Sequence, residues 1–172
     1  NHQGKESVEA LETALRLEPE NVWILNSLAT AHKLAGRTNE ALQEFRRAVA
    51  IKPRFGIAYL GIGQIFEEQG RAEEAEEYYR KALQNRIHRS GELATLARFC
   101  QAKGWFTAAV TNFQDALELS PADASLHFDL ARSLTALGRK EEAEKHVTAA
   151  ARLDPTRVEV LFRLGLQLGR EG

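Results

Sequence analysis

No methionine occurs anywhere in the 172 residues, cysteine occurs once, at Cys100, and proline only four times. Without a methionine, Asn1 cannot be a translational start, and the expectation is a processed chain or a section of a longer array. A lone cysteine excludes an internal disulfide framework and says little about compartment. Long apolar runs are missing as well. Nothing approaches the roughly 18 to 20 residues that span a bilayer, and the first 20 residues show neither a secretory core nor an Arg-rich transit pattern. Excess charge of one sign is also absent: 23 Lys plus Arg stand against 24 Asp plus Glu. No global field therefore draws the chain onto nucleic acid or an anionic membrane. What remains is 44% apolar and 27% charged residues, the balance of a soluble folded chain with a core.

The scarce prolines carry the first positive signal. Pro19, Pro53, Pro121 and Pro155 are separated by 34, twice 34 and 34 residues. The same ruler aligns Gly36, Gly70, Gly104, Gly138 and Gly172, and also Ala14, Ala48, Ala82, Ala116 and Ala150. A further column runs Ser7, Ala41, Ala75, Ala109, Ala143, and another runs Ala29, Gly63, Ala97, Ala131, Gly165. A fixed period of this size marks stacked units rather than one compact globule.

Punctuation within each unit predicts two helices. In residues 22–55, the stretch from Val22 to Ala35 has no breaker and sets Leu25, Leu28, Ala29 and His32 at helical steps on one face. Gly36 then closes the helix, because glycine takes the left-handed conformation without a steric penalty. A second helix, roughly Asn39 to Ile51, aligns Ala41, Phe45, Ala48 and Val49 and stops before Pro53. Asn21 and Asp123 are suitable N-caps, and Thr156 with Glu159 fits a capping box. Small residues at the Ala29, Ala41 and Ala48 columns let neighbouring backbones approach.

A 34-residue helix-turn-helix unit with these columns and a closing proline resembles the tetratricopeptide repeat. The unit 56–89 carries the pattern through Tyr59, Ile62, Gly63, Phe66, Ala75, Tyr79 and Ala82. Departures are Leu25, Leu93, His127 and Leu161 for a bulky aromatic, His32, Cys100 and Leu134 for Tyr, and Ile87 for Pro. The resemblance implies an all-α, right-handed α-solenoid of antiparallel helix pairs in a single array over 1–172. A second helix of a partial repeat at 1–21 precedes full repeats at 22–55, 56–89, 90–123 and 124–157, and a partial first helix follows at 158–172.

The same resemblance implies that the first helices line a concave groove for an extended peptide or partner segment. Groove positions on the successive first helices are Trp23, Asn26, Thr30 and Lys33; then Ile57, Leu60, Gln64 and Glu67; then Arg98 and Gln101; then Phe128 and Arg132; and finally Phe162. Apolar anchors among cations suit a peptide with apolar side chains and some negative charge. Two specialised patterns of the family fail here. The clamp for acidic chaperone tails would need Lys and Asn where Trp23, Ser27, Ile57 and Gly61 stand, and an asparagine ladder would need Asn where Ser27, Gly61, Thr95, Asp129 and Arg163 stand.

Catalysis and cofactors are not expected. The five histidines include no pair at helical metal-ligand spacing, and His32, His127 and Cys100 occupy packing columns, so no metal site is assigned. The stretch Gln84 to Arg89 lacks the usual proline and reads as either an ordinary solvated turn or a basic contact site built on Arg86, His88 and Arg89. Val158, Leu161, Phe162, Leu164 and Leu168 spread around the final helix, which suggests a continuing array or self-association. The expected role is a non-enzymatic protein-interaction scaffold, with a substrate-recruiting region of a longer enzyme as the alternative. A cytoplasmic location and a protein partner are expected, without nucleic acid or membrane insertion.

Overall fold

The computed structural model describes residues 2–85 and 87–157, and among these it is all-α. The helices are α1 (His2–Leu17), α2 (Val22–Leu34), α3 (Thr38–Ile51), α4 (Gly56–Glu68) and α5 (Ala72–Leu83), then α6 (Ser90–Ala102), α7 (Phe106–Leu119), α8 (Ala124–Ala136) and α9 (Lys140–Leu153). A 3-10 turn, Pro155–Arg157, follows α9. Contacts divide the chain into a unit of residues 1–87, holding α1 to α5, and a unit of residues 88–172, holding α6 to α9.

The turns inside each hairpin share one geometry. Gly36, Gly70, Gly104 and Gly138 all have φ between 73° and 75°. Beyond each glycine the next amide bonds back to a carbonyl of the helix: Arg37 N to His32 O at 2.8 Å, Arg71 N to Phe66 O at 2.9 Å, Trp105 N to Cys100 O at 2.8 Å, and Arg139 N to Leu134 O at 2.9 Å. This closure satisfies carbonyls left open at the helix end and needs a left-handed residue at the glycine. Two of the entries between hairpins are side-chain capped. Asn21 Oδ1 accepts from the amides of Trp23 and Ile24 at 3.0 and 3.3 Å, and Asp123 Oδ1 from those of Ser125 and Leu126 at 2.8 and 3.2 Å. At the 3-10 turn, Asp154 accepts from the Thr156 amide at 3.1 Å, while Glu159 lies outside the described residues.

In the first unit α2 pairs with α3 and α4 with α5; α1 packs on α2 and α3 on α4. In the second unit α6 pairs with α7 and α8 with α9, and α7 packs on α8. Ala41, Ala48, Ala75, Ala82, Ala109, Ala116, Ala143 and Ala150 are all buried, so the alanine columns form the seams between helices. Phe45, Tyr79 and Phe113 are fully buried beside them. Gly61 makes the tightest seam: a Cβ there would lie 2.4 Å from Phe45 Cζ, so α4 admits the α3 ring only because it has no side chain at that point. Gly63 is a milder case, 3.2 Å from Tyr79 Cδ1.

The stretch after α5 departs from the reading as an ordinary solvated turn. Ile87 is buried, and its Cγ1 would lie 3.1 Å from a Cβ on Gly56, at the start of α4. An isoleucine tucked against α4 therefore stands where the other units have proline. Asn85 Nδ2 donates to Lys81 O at 2.6 Å and closes the end of α5, whereas His88 and Arg89 are exposed and Arg86 lies outside the described residues.

Two glycines thus serve different ends. Gly61→Ala is expected to lose about 1–3 kcal/mol by overpacking, reduced by the better helix propensity of alanine, with partial recovery on adding Phe45→Leu. Gly36→Ala, with open space around the added atom, is expected to lose about 1–2 kcal/mol through backbone conformation alone, and no packing substitution recovers it. Urea unfolding of the single and double variants checks both. Cys100 is buried and burial pushes its thiol up to about 11, so a thiol reagent should modify it at neutral pH only as fast as the surrounding helices open; labelling as fast as a free thiol contradicts the packing.

Candidate interaction face

In each unit the first helices of adjacent hairpins run side by side, α2 with α4 and α6 with α8, and the expected groove residues lie on them. On α2, Trp23 is 46% exposed, with its ring edge against Phe55 at 4.9 Å between centroids. Thr30 is exposed but its hydroxyl donates to Asn26 O at 2.8 Å within the helix. Lys33 is half-buried, with Nζ 2.7 Å from Gln64 Oε1 and 3.6 Å from Glu68.

Three of the expected residues do not stand clear of packing. Asn26, Ile57 and Leu60 are 5%, 6% and 2% exposed. Ile57 and Leu60 are covered because α4 meets α2, α3 and α5 and so has little of its circumference left for solvent. An apolar side chain there goes into the contact. Asn26 is the costlier case, since its Oδ1 is buried without a hydrogen-bond partner. Glu67, also read as free of packing, accepts from the Tyr79 hydroxyl at 2.6 Å and ties α4 to α5. Burial first, then this carboxylate, raises the Tyr79 pKa and keeps the phenol protonated.

The second unit brings its expected residues together around one that the sequence reading passed over. Arg98 Nε donates to Asp129 Oδ2 at 2.7 Å, and Arg132 Nη1 lies 3.9 Å from Asp129 Oδ1. The carboxylate side chain is 13% exposed while both arginine side chains are about half exposed, at 50% and 52%. Gln101 Nε2 donates to Asp129 O at 3.1 Å and to the buried Ser133 Oγ at 2.9 Å, stitching α6 to α8. Phe128 is half-buried and one turn before Arg132, on the same side of α8. Phe162 lies outside the described residues. The signal that could have found Asp129 was present: it is an acid in the same repeat position as Ser27, Gly61 and Thr95, between two arginines.

The remaining titratable groups are mostly structural. His32 Nδ1 sits 3.0 Å from Glu44 across the α2–α3 hairpin, and its Nε2 is buried without a partner. Burial raises the Glu44 carboxyl, opposed by the histidine. His127 and His146 meet across α8 and α9, a pair no helical spacing rule reveals. Among the described residues no group of three or more metal-ligating side chains gathers, and no helix is long and apolar enough to cross a membrane.

Three tetratricopeptide repeat models match the chain, over residues 28–90, 101–164 and 10–43. Anaphase-promoting complex subunit 3 of Schizosaccharomyces pombe is 27% identical over 164 residues, spanning 89% of this chain and 24% of that protein. Protein O-mannosyl-transferase TMTC1 of Homo sapiens is 32% identical over 89 residues, 52% of this chain and 10% of that one. The chain therefore spans a quarter or less of the length of these two relatives. Among solved structures, YrrB, a TPR protein with an unusual peptide-binding site, superposes with a TM-score of 0.77 at 20% identity, over 94% of this chain and 82% of that one. With the glycine turns, the alanine seams and the helix pairs already in place, these matches establish that the chain belongs to the tetratricopeptide repeat family.

Proposed function

We propose that the chain is a protein-interaction scaffold without catalysis of its own, and that within each unit the first-helix faces form a groove for an extended segment of a partner protein. The observation that carries the reading is the cluster of Arg98, Asp129 and Arg132 beside Phe128. Two half-exposed guanidinium groups share one nearly covered carboxylate. Apart from Arg98 Nε, their N–H groups have no hydrogen-bond acceptor among the described residues. That leaves an excess of positive charge and unused planar donors, a match for a carboxylate side chain. Phe128 on the same side offers apolar surface to the neighbouring residue of the segment. Trp23 supplies a similar exposed aromatic in the first unit.

The likeness to a subunit of the anaphase-promoting complex, and to a protein described as having a peptide-binding site, supports this class of role. A second reading, a substrate-recruiting region within a longer enzyme, draws on the likeness to the O-mannosyl-transferase. Both readings use the same groove, and the sequence of the rest of the gene separates them.

Asp129 competes with an incoming carboxylate for the two arginines, so its removal has an unusual expected sign. In fluorescence anisotropy with a short labelled peptide of alternating leucine and glutamate, Asp129→Asn should bind about two- to fivefold more tightly, and Arg132→Gln about two- to fivefold more weakly. Phe128→Ala should weaken both this peptide and its leucine–glutamine twin. Equal binding of the two peptides, unaffected by Asp129→Asn or Arg132→Gln, would remove the acidic preference. Indifference of both peptides to Phe128→Ala would remove the groove of the second unit, and indifference to Trp23→Ala that of the first.

A further inference from the structure

The hairpin of α8 and α9 holds a histidine pair that the interaction face does not use. His127 Nδ1 and His146 Nδ1 are 2.9 Å apart. The ring centroids are 5.1 Å apart with planes inclined by 30°. That centroid distance is close to the nitrogen separation plus a ring radius on either side, so the rings meet edge to edge and the two nitrogens point at each other. His127 Nε2 lies 3.1 Å from the Pro121 carbonyl oxygen, and because a carbonyl only accepts, this nitrogen carries a proton.

The proton inventory follows. In the neutral pair His127 presents a bare Nδ1, which accepts from the Nδ1–H of His146, and His146 Nε2 is bare. One added proton goes onto His146 Nε2 and leaves the bond intact. A second would have to go onto His127 Nδ1, setting two N–H groups and two positive charges against each other at the distance of one hydrogen bond. The pair accommodates a single added proton and opposes the next.

The surroundings sharpen the effect. Burial is the main cause lowering the His146 pKa below its ordinary value of 6.5, His127 is the second, and Glu142 on the preceding turn of α9 pulls it upward. Glu142 is itself held by Arg139 in a two-pronged pair at 2.6 and 2.7 Å. From the turn between α7 and α8 the pair meets the uncharged Pro121 carbonyl. A metal ion is a poorer occupant than a proton, because the facing nitrogens aim along one line rather than at a common point, and among the described residues no third ligand joins them.

We propose that His127 and His146 form an acid-sensitive latch that holds α8 to α9 near neutral pH and loosens the hairpin as protons are added to the pair. The sign is fixed by linkage. A histidine whose pKa is lowered by folding binds fewer protons folded than unfolded, so its contribution is present above its ordinary pKa and is lost as pH falls below about 6.5. Because α8 also carries Phe128, Asp129 and Arg132, the latch ties the order of that helix to pH.

Hydrogen exchange on the full chain, corrected for intrinsic rates, tests this at about pH 7.5 and about pH 5.5. On acidification α8 and α9 should lose on the order of tenfold more protection than α6 and α7. His146→Gln keeps an amide that can bond to His127 but does not titrate, and the difference between the hairpins should vanish. Should that variant lose helicity at neutral pH, His127→Tyr replaces it, tyrosine being the residue at the corresponding position of α4. Equal loss from both hairpins in the wild type overturns the latch, as does an undiminished difference in the folded variant.

Discussion

A helix of about 13 residues does not hold its shape in water, because nucleation fixes several dihedrals before the first hydrogen bond repays it. Every α-helix among the described residues is close to that length, from 12 residues in α5 to 16 in α1. Their stability comes from leaning on neighbours, and close approach depends on side chains small enough to keep backbones near. The buried alanines of the second helices do this throughout, and Gly61 does it to the limit where the Phe45 ring lies over bare backbone. Turn geometry follows from the same demand. A hairpin of two short helices has little room for a loop, and the left-handed glycine with its returning amide reverses the chain within a few residues.

The periodic part of this plan was open to reading in the sequence because it is repeated. One glycine or one alanine means little, whereas a column at a fixed period averages out the accidents of any single copy. Helix ends were legible for a local reason: Asn21 and Asp123 act on amides two and three residues away. Burial on the first helices was harder to read. Asn26 and Leu60 share one repeat position, which is also buried at Ala94 and half-buried at Phe128. Ile57 is buried where Trp23 and Gly91, at the same position, are exposed, so there the neighbours around each helix decide which copies are covered. The meeting of His127 with His146 was beyond any spacing rule, since it crosses a hairpin between helices whose relative rotation is set by packing.

Charge on the first-helix faces is arranged in local pairs. Lys33 reaches Gln64 and Glu68 in one unit, and Arg98 reaches Asp129 in the other, each bridging adjacent first helices. Partly exposed pairs of this kind add little to stability, in the range of about 0–1 kcal/mol. Their effect is more on orientation: Asp129 fixes one guanidinium plane, and Gln101, bonded to the buried Ser133, fixes the spacing of α6 and α8 beneath it. A near-neutral chain thus still offers a defined local field, built from residues that are close in space and remote in sequence.

The isoleucine after α5 changes the nature of one joint. Where proline closes a unit, the backbone itself is stiff, since the ring fixes φ whatever the side chains around it do. Ile87 has no such constraint and keeps its place by contact with the start of α4, so that stretch is firm only as long as its side chain remains covered. Fraying of the first turn of α4 would uncover it and free the adjoining backbone together with that turn. One boundary of the array therefore behaves as a clasp governed by hydrophobic cover, while its counterparts at Pro19, Pro53 and Pro121 behave as fixed rivets.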